Sequence, residues 1–547
     1  MAAPLEPSPF SFGYYYHEKT DTADKTRELG YVGERHILLF GVNGAGKLTR
    51  LLAKNLATIK DRSAVILDVK GELTAQTRRI RQQICGVENY KTVNPYNLHD
   101  LGSDGFNCLY GLNPDDDLFY DKAKLLTQAI IETEDDPQKF FPESAAGLLT
   151  AAIMWIVMQA RIESRPASLY DCRKLICERD EWEEVPPVMI GKKLVPQPPR
   201  QVKGLKVNCE LMAREGGEQI AGLVSRFLRD HGKNELSGIQ STFATQTEWL
   251  LSKPIARDLE KGNWSFAQLR ETPTTVSIIL PPQEIKDKRR WTRLLFTCAL
   301  CEHLKPGPVD TIFILDEFRV AVGHLEIINT FWSLVRGFGV RFLVVCQSAL
   351  QLQVLFKEEW EIYAGQAGAV VTLGPPGDMM TARWMSERAG TLFETRTSQN
   401  EGQGVGVQGV STNEGVTISQ AETAFKSAQE LMSIRVGTGR IWTPGRGNTS
   451  IPFFAPNYWK QPAIAPLIDP NPYYAAASAP TSASAAPAPA NAGVVVVRPV
   501  HRRIAIGVLF GAALAVAASI GVTVWHNAQS AVYHAPPRVS SMPQDRR

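Results

Sequence analysis

Two short stretches of this sequence carry residue types arranged for phosphate chemistry. The first is Gly41-Val-Asn43-Gly44-Ala45-Gly46-Lys47-Leu48-Thr49. Glycines let a backbone wrap closely around an anion with successive N–H groups turned inward. A helix starting there adds partial positive charge, and Lys47 adds a full one. This is the Walker A pattern, and it predicts ATP binding by Gly41, Asn43, Gly44, Ala45, Gly46, Lys47, Leu48 and Thr49. The motif asks for Ser or Thr after the lysine to ligate magnesium, yet Leu48 stands there. Thr49 comes one place late, about 100° further round a helix. It is the expected substitute, through a shifted helix start or a water. The competing expectation is a weakened metal site and a slow or inactive ATPase.

The second stretch, Thr311-Ile-Phe-Ile-Leu315-Asp316-Glu317, ends an apolar strand in two carboxylates, as in Walker B. Asp316 is expected to hold magnesium, directly or through water, and Glu317 to orient and activate the attacking water. Gln347 follows the apolar run Arg341–Cys346. It is placed either to touch the γ-phosphate or simply to cap its strand. Arg336 and Arg341 stand between these strands, as arginine fingers for a neighbouring subunit's nucleotide or as surface ion pairs.

These residues need elements to hold them. Continuous apolar runs at His36–Phe40, Ala64–Val69, Thr275–Leu280, Thr311–Leu315, Arg341–Cys346 and Ala369–Leu373 predict strands covered on both faces. That is the mark of an α/β fold with a mostly parallel central sheet. Helical periodicity fills the long stretch between the second and third runs. The sheet domain is therefore expected in two parts, residues 34–139 and 262–460, split by an all-α insertion at 140–261. Within it, Val185–Pro199 is Pro-rich and reads as an exposed loop. Gln399–Gly415 reads as a mobile Gly-rich loop, with a helix over Glu422–Met432 and a last strand near Arg440–Thr443.

The ends read differently. Residues 1–33 form an N-terminal extension without the apolar region of a signal peptide. Residues 461–500 fall into Ala, Pro and Ser and predict an extended linker. Ile504–Trp525 then runs 22 residues without a charge. As a helix it spans about 33 Å, enough for a bilayer, so 501–526 is predicted as a transmembrane helix. Arg498, Arg502 and Arg503 precede it, which keeps the body cytoplasmic and sends 527–547 across as a short periplasmic tail.

Composition narrows the chemistry. With 44% hydrophobic and 21% charged residues the chain is globular, not disordered. A net charge of +3 gives no whole-molecule field for nucleic acid. Any polyanion needs a local groove, for which Arg78, Arg79 and Arg81, and Lys286–Arg290, are candidates against their reading as solvated faces. Eight cysteines and nine scattered histidines, with one isolated Cys298-x-x-Cys301, exclude a disulfide scaffold and disfavour zinc.

Taken together, the stretches resemble the type IV secretion coupling proteins, membrane-attached ATPases of bacterial conjugation. The matching runs are the Walker A segment, Val65-Ile-Leu-Asp68-Val-Lys70-Gly71-Glu72, Pro273-Thr-Thr-Val-Ser-Ile-Ile-Leu, Leu315-Asp-Glu-Phe with Leu325-Glu326, Arg336-Gly-Phe-Gly-Val-Arg341 and Cys346-Gln347-Ser348. The resemblance implies a RecA-like motor domain with an all-α insertion, ATP and magnesium as cofactors, and a homohexameric ring. It implies movement of a relaxase–DNA complex, with single-stranded DNA, or of protein effectors, toward the type IV secretion apparatus. It also implies that Gln347 senses the γ-phosphate and that Arg336 acts across the subunit boundary. Family members usually carry two N-terminal membrane spans, whereas here one C-terminal span is expected. The expected location is the bacterial inner membrane, single-pass. Two alternatives stand beside the motor: a receptor that binds nucleotide without hydrolysis, and a related DNA translocase outside type IV secretion.

Overall fold

A computed structural model describes residues 8–133, 139–229, 233–317, 328, 332, 338–406, 409–443 and 450–475. The predicted span Ile504–Trp525, its flanks and Arg336 lie outside the described residues.

All six apolar runs are strands. In chain order the first five strands are β1 (Phe10–His17), β2 (Thr22–Tyr31), β3 (Ile37–Phe40), β4 (Ser63–Asp68) and β5 (Tyr90–Val93). Four short ones follow, β6 (Glu181–Glu183), β7 (Val188–Ile190), β8 (Lys193–Val195) and β9 (Arg200–Lys203). Then come β10 (Thr275–Ile279), β11 (Thr311–Leu315), β12 (Val340–Cys346) and β13 (Ala369–Leu373). The last are β14 (Thr391–Gly406), β15 (Gly409–Ala424), β16 (Thr438–Trp442) and β17 (Ile451–Phe454).

One eleven-stranded sheet among the described residues runs β2-β1-β17-β16-β13-β3-β12-β11-β4-β10-β5. From β13 to β5 every pairing is parallel; from β13 to β2 every pairing is antiparallel. Successive side chains of a strand face opposite ways. Leu38 and Phe40 of β3, with Phe313 and Leu315 of β11, enter one apolar cluster, while Ile37, Leu39, Ile312 and Ile314 enter another. Both faces are covered, which is why these runs are apolar throughout.

The first cluster continues into the helices that interrupt the sheet, chiefly Phe140–Ile162, where Ala145 to Val157 is largely buried. This helix is long and apolar enough to cross a bilayer, but two-thirds of that window is buried in the protein, so it is a core helix of this body. The insertion is not wholly α-helical. β6 pairs with β9 and β7 with β8, making two exposed antiparallel ribbons. The stretch expected as an exposed loop is thus a hairpin whose Val188, Met189 and Ile190 stay in solvent.

Other expectations need correction. The N-terminal extension adds β1 and β2 to the sheet edge, because Phe10 and Phe12 alternate into the second cluster. The Gly-rich stretch lies in the long antiparallel pair β14–β15. The helix expected from Glu422 begins only at Ala428, where Ser427 and Glu430 form a capping box. The linker starts later than 461, since Ile464 and Ile468 are buried in the second cluster.

Most members of both basic clusters are engaged within the chain. Arg81 is fully buried and donates to Thr275 Oγ1 (2.9 Å) and to the carbonyls of Leu56 and Ile59. Arg78 donates to Leu101 O, and Arg79 pairs with Asp469 at 2.8 Å. Arg289, Arg290 and Arg293 converge on Glu132, which joins the helix Phe119–Ile130 to the helix Arg289–Cys301. Arg81→Met, which leaves three buried acceptors unpaired, is expected to cost about 2–4 kcal/mol. Arg78→Ala should cost about 1 kcal/mol or less. Urea denaturation of both variants checks the ranking; equal stabilities would contradict a structural role for Arg81.

Candidate functional site

Parallel strands present their C-terminal ends along one edge, and four of those ends carry the candidate chemistry. β3 delivers Gly41, β12 delivers Gln347, β11 delivers Asp316 and Glu317, and β4 ends in Asp68. β12 lies between β3 and β11, so the glycine loop and the acid pair flank Gln347. The Gly41 N–H donates to Cys346 O at 3.0 Å, fixing the loop's root to the end of β12.

Within the loop, Gly44 (φ 82°) and Gly46 (φ 85°) take left-handed backbone, which glycine adopts without steric cost. Lys47 folds back over the loop and donates to Gly41 O at 2.8 Å and to Val42 O at 3.5 Å. The helix behind it opens with a wide, π-type turn over Lys47–Leu52, with Ala53 N–H reaching Leu48 O, then continues as Ala53–Thr58. Such turns are frequent at functional sites. Leu48 is partly buried against the cluster that holds Ala45, Leu51 and Leu52. The Thr49 hydroxyl donates to Asn457 Oδ1 at 3.0 Å, with a longer contact to Gly46 O.

Asp316 sits among protein atoms, with some solvent contact left. Burial pushes its carboxyl up to about 6, opposed by the Lys47 charge and reinforced by Glu317 and Asp68. Its Oδ1 accepts the Glu317 N–H at 3.1 Å. Glu317 holds a left-handed backbone (φ 50°), uncommon outside glycine and a form of strain found at functional sites. Its Oε1 accepts from Gln347 Nε2 at 2.9 Å, so Gln347 orients the glutamate here rather than merely capping a strand.

Asp68 was not singled out for a role, yet it ends β4 directly beside β11, where Leu315 pairs with Leu67. Burial pushes its carboxyl up, against the Thr74 amide that donates to it at 2.7 Å. The available signal was an apolar run closing on an acid, the pattern that marked Asp316. Arg341 is not placed to reach another subunit's nucleotide. It is buried at the opposite, N-terminal end of β12 beside the Tyr31 ring, and burial lowers its pKa to about 10.

Cys298 and Cys301 are free thiols whose pKa burial raises, Cys301 to about 12. Among the described residues no cluster of three or more His, Cys, Asp or Glu makes a protein cage for a metal. The edge suits instead a cation held by one or two carboxylates together with substrate phosphates, the usual manner of magnesium.

A family model described as "Type IV secretory system Conjugative DNA transfer" matches residues 7–438. The chain belongs to this type IV secretory system conjugative DNA transfer family. It is 23% identical over 361 residues to a conjugal transfer protein TraG of Escherichia coli, covering 63% of this chain and 53% of the relative. To the type IV secretion system-coupling protein VirD4 of Bartonella quintana (strain Toulouse) it is 22% identical over 385 residues, covering 68% and 55%. The chain thus spans about half the length of the curated relatives it matches. Its fold is that of the plasmid coupling protein TrwB, solved in complex with ADP and Mg2+. That similarity has a TM-score of 0.54 and 14% identity, covering 83% of this chain and 96% of that one. The unbound TrwB form lacking its N-terminal 70 residues gives 0.53 at 13% identity, covering 78% and 86%.

The raised Asp316 pKa has a sign that can be tested in this family member. Between about pH 4 and pH 6 the folded state favours the neutral carboxyl, so ionisation removes stability as pH rises through that window. Asp316→Asn cannot ionise. Without nucleotide or divalent cation it is expected to melt a few degrees above wild type near pH 8. The difference should vanish near pH 4, and thermal scans at both values decide it. A variant less stable at both would show that the carboxylate is satisfied as it stands.

Proposed function

We propose that this chain is a membrane-tethered ATPase acting as a type IV secretion coupling protein. It uses ATP hydrolysis to recruit a DNA–relaxase complex, or a protein substrate, and move it to the secretion channel. One observation carries the hydrolytic part: Lys47 and the Asp316–Glu317–Gln347 set meet at a single sheet edge. Lys47 lies close enough to lower the Asp316 pKa, and Gln347 is bonded to Glu317. Family membership and the TrwB fold, solved with ADP and Mg2+, support the same nucleotide here.

In this reading, the loop amides from Gly41 to Lys47 receive the phosphates, and the ammonium of Lys47 turns from Gly41 O to the β- and γ-oxygens. Asp316 would hold magnesium, directly or through water, and the ion would supply charge neutralisation at the phosphates. Glu317 accepts a proton from the attacking water as the bond to the γ-phosphorus forms and the bond to ADP breaks. Gln347 orients Glu317.

By family analogy the working unit is a homohexamer in which Arg336 completes the neighbouring site. The predicted span Ile504–Trp525 would anchor it in the bacterial inner membrane with the motor in the cytoplasm. Single-stranded DNA remains a proposed partner, although Arg81 is buried and Arg79 and Arg289 are already paired with acidic side chains. A second reading has its own support. Leu48 offers no hydroxyl and Thr49 is bonded to Asn457, which favours a receptor that binds nucleotide without turning it over.

Steady-state phosphate release by the full chain, with and without single-stranded DNA, separates the two. Lys47→Ala and Glu317→Gln are each expected to reduce turnover at least about 100-fold, while Glu317→Gln keeps nucleotide binding. Absent turnover in a wild-type chain that binds ATP would favour the receptor. Deleting residues 504–525 should move the protein from membranes to the soluble fraction of expressing bacteria; continued sedimentation with membranes would show another anchor.

A further inference from the structure

The glycine loop is bonded to a C-terminal strap. Thr49 and Arg50, consecutive on the first turn after Lys47, both hold the segment leaving β17. Thr49 Oγ1 donates to Asn457 Oδ1 at 3.0 Å, and Arg50 Nη1 donates to Ala455 O at 2.5 Å. Arg50 lies so close to Gly46 and Gly437 that a Cβ at either would fall within 3 Å of its guanidinium.

From there the strap crosses to the helix Glu72–Cys85, which follows Asp68. Tyr458 Oη donates to Gln76 Oε1 at 3.1 Å, and Asp469 N–H donates to Gln76 O at 2.9 Å. Asp469 pairs with Arg79 at 2.8 Å, and Asn471 Nδ2 donates to Glu72 Oε2 at 2.9 Å. The strap thus touches the helices behind both the glycine loop and the β4 acid.

We propose that Asn457 is a positioning residue for the cation site: it holds the Thr49 hydroxyl on the strap, and productive magnesium–nucleotide binding requires Thr49 to leave it. This rests on the proposed nucleotide site. The sequence offers Thr49 in place of the missing hydroxyl at position 48. While Thr49 Oγ1 donates to the Asn457 carbonyl, that hydroxyl is withheld from any cation at the loop. The two partners then compete for one side chain, and binding at the loop is thermodynamically linked to docking of the strap. Linkage is reciprocal, so loading the site loosens the strap at Asn457 and whatever releases the strap primes the site.

Calorimetric binding of a non-hydrolysable ATP analogue to the full chain, with and without magnesium, tests this. Asn457→Ala should tighten magnesium-dependent binding about 3- to 10-fold, the size of one neutral hydrogen bond. Magnesium-free binding should stay unchanged, and the gain should vanish in a Thr49→Val background. In wild type, magnesium with the analogue should speed tryptic cleavage at exposed Lys460, and Thr49→Val should abolish that response. An Asn457→Ala chain whose magnesium-dependent affinity equals wild type overturns the proposal, as does one that weakens binding with and without the metal. Lys47→Ala distinguishes the failures. If it binds as wild type does, the nucleotide site itself is misassigned; if it loses binding while Asn457→Ala changes nothing, only the role of Asn457 falls.

Discussion

A carboxylate sunk among protein atoms beside a lysine is the constraint from which the rest of this site follows. Asp316 lies where ionisation is costly, and the Lys47 charge offsets part of that cost. Bringing the two together requires distant parts of the chain to end on one edge, which parallel strands do as a matter of geometry. With β12 between β3 and β11, the glycine loop, Gln347 and the acid pair form a row.

Covering both faces of such a sheet has consequences away from the edge. One face is closed by helices of the insertion together with the helices Phe119–Ile130 and Arg289–Cys301, the last two joined through Glu132 and its three arginines. The other is closed by the loop helix, the helix Glu72–Cys85 and the strap bearing Ile464 and Ile468. The helices behind the glycine loop and the β4 acid are thereby bonded to the C-terminal strap.

The parallel core was readable because strands covered on both faces must be apolar at every position, as in Ile312-Phe-Ile-Leu315. The glycine loop and the acid pair were readable because their chemistry demands particular residue types at particular spacing. The edge strands were not, since Phe10 and Phe12 need burial on one face only and stand among polar and aromatic neighbours. The strap was hidden for a similar reason: a few isoleucines and hydrogen-bonding groups anchor a segment whose composition is that of a linker. Arg81 looked like its neighbours Arg78 and Arg79 because charge says nothing about burial. Thr49 was seen as a substitute ligand, but its bond to Asn457 joins residues from opposite ends of the fold, and no local pattern announces it.

The most direct test of the central claim is manganese binding followed by electron paramagnetic resonance in the presence of saturating ATP. If the glycine loop and Asp316 grip one nucleotide between them, wild type holds a single manganese ion whose signal is broadened by the phosphate oxygens. Asp316→Asn should then weaken that binding about tenfold or more, roughly the loss of one charged ligand. An ion held equally well with and without the Asp316 carboxylate would contradict the account.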